Sequence, residues 1–124
     1  MNQQTIKKQF SIEGKGLHKG NISKITFLPA EKNAGILIRN NGVEYSPSVD
    51  HVIETKRGTT LKYKNSIIYT VEHLLSAIKG MGIDNIILDI KGDEPPTLDG
   101  SSFDYCSMIK KAGIVKQNVK KKFF

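Results

Sequence analysis

Thr70-Val71-Glu72-His73-Leu74-Leu75-Ser76-Ala77-Ile78-Lys79-Gly80, followed by Asn85-Ile86-Ile87-Leu88-Asp89-Ile90, is the stretch whose reading decides the fold. Val71, Leu74, Leu75 and Ile78 recur at i, i+3, i+4 and i+7, the apolar stripe of a core-facing helix. Thr70 is placed to cap its start and Gly80 to end it, which predicts a helix over Val71 to Lys79. Asn85 to Ile90 is a near-continuous apolar run, as expected of a central strand. Glu72 and His73 lie off the apolar stripe in the first turn. A helix N-terminus favours an ionised carboxylate and a neutral imidazole, the states a base and a metal ligand need. The same pair also fits ordinary dipole compensation beside a surface His. One His falls short of a three-ligand catalytic zinc site, and the order of the pair excludes the His-Glu-x-x-His arrangement.

Working outward, Thr5 to Glu13 and Ile22 to Leu28 read as strands separated by the glycine-rich turn Gly14 to Gly20. Gly35 to Arg39 reads as a short strand, Asn40-Asn41-Gly42 as a turn, and Val43 to Thr55, with Pro47, as an edge strand or irregular crossover. Thr59 to Tyr63 and Ser66 to Tyr69 form a predicted hairpin closed at Lys64-Asn65. Asp93-Glu94-Pro95-Pro96 reads as a rigid loop. Asp99 or Ser101 would then cap a second helix, with Phe103, Cys106 and Ile109 on one face and Gly113 as its stop. The predicted class is α+β, a two-layer sandwich with a mixed, mainly antiparallel sheet and two helices on one face.

A chain of 124 residues with formal charge +7 fits one hydrophobic core and admits attraction to anions without selecting one. Lysines such as Lys7, Lys8, Lys24, Lys62 and Lys64 stand in alternating segments, as on the wet face of a sheet, and no aromatic-interleaved nucleic-acid motif accompanies them. Nucleic acid is therefore not an expected partner. No apolar stretch reaches bilayer length and no secretory signal precedes the first strand, so a cytoplasmic location is expected. The lone Cys106 can form no internal disulfide.

Three strings occur in order: Gly14-Lys15-Gly16-Leu17-His18-Lys19-Gly20, the Thr-Val-Glu-His-Leu-Leu-Ser-Ala helix, and Pro96-Thr97-Leu98-Asp99-Gly100-Ser101. With Gly80-Met81-Gly82-Ile83-Asp84-Asn85, they make the chain resemble, over nearly its whole length, the N-terminal half of UDP-3-O-acyl-N-acetylglucosamine deacetylase, a zinc enzyme of lipid A biosynthesis. The resemblance implies that His73 is a Zn2+ ligand and Glu72 the general base acting on water, with acetate released from a nucleotide-sugar glycolipid precursor. It also implies that further ligands come from a C-terminal half, in cis or in trans, so that this chain alone is inactive.

On this reading residues 1–115 form the N-terminal deacetylase domain, and 116–124, rich in lysine, are linker and the start of a second domain. His18 either lines the active centre or is a turn residue. Gly58 and Thr59 either contact substrate or end a strand, and Lys19 stands where the family usually has a small residue. Asp99 caps or braces the second helix, or supports the site from behind. His51 is read as a surface residue. The rival reading is a non-catalytic binding or assembly module that keeps the fold without the chemistry. A surface bared around Glu72, His73 and Gly58 would invite self-association.

Overall fold

A computed structural model describes residues 1–16, 20–56, 58–96 and 103–121. The elements are β1 (Asn2–Ile6), β2 (Phe10–Lys15), β3 (Ile22–Pro29), β4 (Ile36–Asn40) and β5 (Val43–Tyr45), then a 3-10 turn (Val49–His51). After it come β6 (Val52–Thr55), β7 (Gly58–Tyr63), β8 (Ser66–Ile68), α1 (Glu72–Gly80), β9 (Ile86–Lys91), α2 (Phe103–Ala112) and β10 (Ile114–Lys120).

The strand after the helix is central, as expected. β9 lies between β3, antiparallel, and β4, parallel, in a five-stranded sheet ordered β2-β3-β9-β4-β5. It buries one face: Ile86, Leu88 and Ile90 are enclosed, while Ile87 and Asp89 remain half-exposed. Register carries that face across the sheet. Phe10 pairs with Phe27, Phe27 with Leu88, Leu88 with Ile38 and Ile38 with Tyr45, so period-two alternation in each strand sums to one apolar row. The row packs against the helices. Leu74, Ala77 and Ile78 of α1 and Tyr105 and Ile109 of α2 join Ile25, Phe27 and Leu88 in one core, where the Phe27 and Tyr105 rings lie 6.2 Å apart. Burying Phe27 completely contributes about 1.5–3 kcal/mol. The α+β sandwich is thus present, with strands divided among three sheets: the five-stranded one, β6-β7-β8, and the pair β1-β10.

Several expectations are corrected. The segment Thr5 to Glu13 is two strands broken after Ile6, because β1 leaves to pair antiparallel with β10 through Thr5↔Val115 and Ile6↔Ile114. Residues from Lys116 to Lys120, expected as linker and the start of a second domain, belong to a strand paired with β1. Thr70 does not cap α1. Val71 occupies that position without a side-chain cap, and Thr70 itself has a φ of +57°. Gly80 is the last helical residue, and the left-handed turn comes later, at Gly82. The hairpin closes at Lys64-Asn65 as expected, Lys64 taking the left-handed conformation (φ +51°) more usual for Asn or Gly. Among the described side chains of α2, Tyr105 and Ile109 are buried while Cys106 is only half-buried, and the side chain of Phe103 lies outside the described residues.

Tyr105 fixes α2 to the loop before it by donating its hydroxyl to the Pro96 carbonyl. Burial pushes its phenol well above the ordinary value. The folded state therefore favours the neutral phenol. Its contribution is intact below the unfolded value near 10 and is lost as pH rises from there toward the folded value. Across that window wild type should lose about 1.4 kcal/mol per pH unit relative to Tyr105→Phe. The variant should start about 1 kcal/mol less stable at neutral pH for want of its hydrogen bond. Urea unfolding from pH 8 to 11 checks this, the lysines being common to both proteins; parallel pH slopes would refute it.

Candidate active site at the start of the first helix

Thr59 of β7 brackets the start of α1 from both sides of its peptide. Its carbonyl accepts from Val71 N at 3.1 Å, and its N–H donates to Glu72 Oε2 at 3.0 Å. Gly58, one residue earlier, has a φ of +86°, and a Cβ there would lie 2.6 Å from Glu72 Oε1. Glycine is required at this position twice over, for its backbone conformation and for the approach of the carboxylate. The structure thus brings Glu72, Gly58 and Thr59 together. His73 follows Glu72, half-buried, about 100° further round the helix. The N-terminal position of Glu72 and the placing of Lys79 in the last turn both complement the helix dipole. His18 and Asp99 lie outside the described residues, as do Lys19 and Arg57.

An apolar groove of about 440 Å³ opens beside this pair. Glu72, Leu75 and Lys79 stand at i, i+3 and i+7 on one helix face, and the last two line the groove with Thr59, Leu61, Val49 and Val52. Val49 is 87% exposed, and Val52 and Ile53 are also open to solvent. A larger, more polar groove of about 960 Å³, lined by Arg39, Asp89, Lys91 and Asn65 among others, contains none of the site residues.

His51 is not the free surface residue expected. Its Nδ1 accepts from Ser48 N at 3.1 Å and its ring stands edge-on to Tyr45 and Tyr63, so it fastens the 3-10 turn to the sheet. Burial also raises the Tyr45 phenol above its usual value, an effect partly offset by the Ser66 hydroxyl. Sequence reasoning missed Glu94 as well. It reads as part of a rigid loop but is 1% exposed, with Oε2 accepting from the Thr70 hydroxyl at 2.8 Å.

Comparison with known proteins places the chain in a family. The family model described as LpxC, UDP-3-O-acyl N-acetylglycosamine deacetylase, matches residues 3–124. The chain belongs to this family. It is 46% identical over 122 residues to the UDP-3-O-acyl-N-acetylglucosamine deacetylase of Oleidesulfovibrio alaskensis, covering 95% of this chain and 40% of that protein. The enzyme of the same name from Saccharophagus degradans is 42% identical over 127 residues, 99% of this chain and 42% of its own length. A bifunctional enzyme LpxC/FabZ of Porphyromonas gingivalis is 37% identical over 126 residues, 98% of this chain and 27% of its own length. The chain therefore spans well under half the length of these LpxC relatives.

Among the described residues no three His, Cys, Asp or Glu side chains converge as a metal-holding group. The site offers, among the described residues, one imidazole, His73, beside a carboxylate already engaged by the Thr59 amide. A three-ligand catalytic site is not assembled by these residues alone. No helix among the described residues is long and apolar enough to cross a membrane.

Proposed function

We propose that this chain is the part of a cytoplasmic deacetylase that supplies the general base, Glu72, and one zinc ligand, His73. The substrate is UDP-3-O-acyl-N-acetylglucosamine, from which acetate is removed on the way to lipid A. The observation that carries the reading is the clamp of Glu72 on the Thr59 amide at the head of α1, in a chain of the LpxC family.

Bound zinc, held by His73 with ligands from another segment, would supply Lewis acidity at the amide carbonyl. This chain's residues do the rest of its share. One carboxylate oxygen of Glu72 is held by Thr59, which fixes the group in orientation; the other, Oε1, packs against Gly58, where a side chain would push the carboxylate away. Glu72 takes the proton from water as it attacks the acetamide carbonyl. Gly58 and Thr59 form the adjacent wall and contact substrate; His18 and Asp99, carried over from the other two family strings, bind substrate or support the site. The apolar side chains of Val49, Val52 and Ile53 are covered in the working enzyme by the remainder of the protein, and in its absence by a second copy of this chain.

The test is to measure acetate release by this chain alone and together with the C-terminal part of the Oleidesulfovibrio alaskensis relative, with sedimentation in parallel. The chain alone should be inactive and self-associate as concentration rises. The combination should form a complex and regain zinc-dependent turnover. Turnover by the chain alone would refute the divided site; a complex without turnover would favour a module that keeps the fold but not the chemistry.

A further inference from the structure

Gly16, Thr70 and Pro96, one described residue from each of the three strings that carry the family resemblance, come together around a side chain that belongs to none of them. Glu94 is 1% exposed. Its Oε2 accepts the Thr70 hydroxyl at 2.8 Å, at the start of the helix string. Its Oε1 lies where a Cβ on Gly16 would have to go, and its own Cβ would be 3.0 Å from that atom, so Gly16 packs directly on the carboxyl. Two residues further on, Pro96 opens the third string and forms a bridge with Gly16. The Tyr69 N–H, donated to the Asp93 carbonyl at 2.7 Å, ties the same two loops together by backbone.

A carboxyl taken out of water is costly unless it is hydrogen-bonded, so its place here calls for a consequence. The consequence lies in Thr70. A β-branched residue at φ +57° is a rare conformation that the chain holds only where its surroundings over-determine it. Glu94 holds it by the hydroxyl, and the backbone holds it on either side, through Tyr69 N to Asp93 and through Val71 N to Thr59. The next residue is Glu72. The turn at Thr70 sets the direction in which α1 begins and hence where the Glu72 carboxylate meets the Thr59 amide.

We propose that Glu94 is a positioning residue: through the Thr70 hydroxyl it fixes the start of α1 and so holds Glu72 and His73 in register with Gly58 and Thr59. The meaning of that register for catalysis rests on the deacetylase reading; the register itself does not, and the experiment separates them. Thr70→Val removes the hydroxyl at constant shape, whereas Thr70→Ser keeps the donor. Glu94→Gln keeps an acceptor for it and tests the other partner without emptying a buried site.

Native-state hydrogen exchange and the His73 ring signals are read by NMR on the 124-residue chain itself. Thr70→Val should speed exchange of the Thr59 amide about tenfold, the equivalent of one hydrogen bond, and shift the His73 ring signals. Thr70→Ser and Glu94→Gln should leave both near wild type. Leu88, in the central strand, should keep its protection throughout. A uniform loss of protection that includes Leu88, or an unchanged Thr59 amide in Thr70→Val, would overturn the proposal by showing that the contact serves bulk stability alone. In the assembled enzyme Thr70→Val should lower kcat with KM unchanged. If the NMR effects appear and turnover does not depend on Glu72, the positioning stands and the deacetylase reading fails.

Discussion

Glu72→Gln should lower acetate release by the assembled enzyme about 10²–10⁴-fold, the usual loss on removal of a positioned general base. The substitution isolates basicity. Gln preserves the side chain's shape and still offers a carbonyl oxygen to the Thr59 N–H, which in wild type lies 3.0 Å from Glu72 Oε2, so the start of α1 should be undisturbed. The midpoint of thermal unfolding should therefore stay within a degree or two of wild type, and zinc content should be retained. His73→Ala should fail differently. The residue is half-buried, so its removal should cost little stability, about 0.5 kcal/mol, but bound zinc should fall in step with activity. Zinc analysis and acetate release on the same samples distinguish the two failures. Full activity in Glu72→Gln would remove the base assignment, and full zinc content in inactive His73→Ala would remove the ligand assignment.

What could be read along the chain was what local pattern controls. The stripe of α1, the central place of β9 and the hairpin around Lys64-Asn65 follow from periodicity and turn position, and all three stand in the structure. Thr70 shows where that logic stops. A threonine before an amphipathic run is a good cap in isolation, but here its hydroxyl is claimed by Glu94, distant in sequence, and the helix begins without a side-chain cap. The division of β1 from β2 is equally non-local, since it is the pairing of Ile6 with Ile114 that draws β1 away. Nothing in the string Asp93-Glu94-Pro95-Pro96 distinguishes a buried acid from an exposed one. The closeness of Gly58 and Thr59 to Glu72 was expected from the family resemblance, and no spacing rule would have given it. Its physical basis, a positive φ and a carboxylate against a missing Cβ, is visible only in three dimensions.

Gly58→Ala should be the most damaging change of a residue with no reactive group. At φ +86° any L side chain is strained, at a cost of about 1–2 kcal/mol. The added methyl would also sit 2.6 Å from Glu72 Oε1 and 3.2 Å from its Cδ, so one of the two must move. The backbone of β7 is the less able to yield, because Gly58 pairs with Thr55 and the following Thr59 holds Val71 N. The carboxylate will yield. It should swing off the Thr59 amide and out of line with the approaching water, and a displacement of about 1 Å can cost some 10²-fold in rate. Gly58→Ala should thus lose activity nearly as Glu72→Gln does while also unfolding at a lower temperature. Combining the two should separate the causes. If Gly58 acts only through the carboxylate, Gly58→Ala should add little further loss of rate in a Glu72→Gln background while retaining its full cost in stability. Losses of rate that multiply in the double variant would mean that Gly58 serves the reaction by a route that does not pass through Glu72.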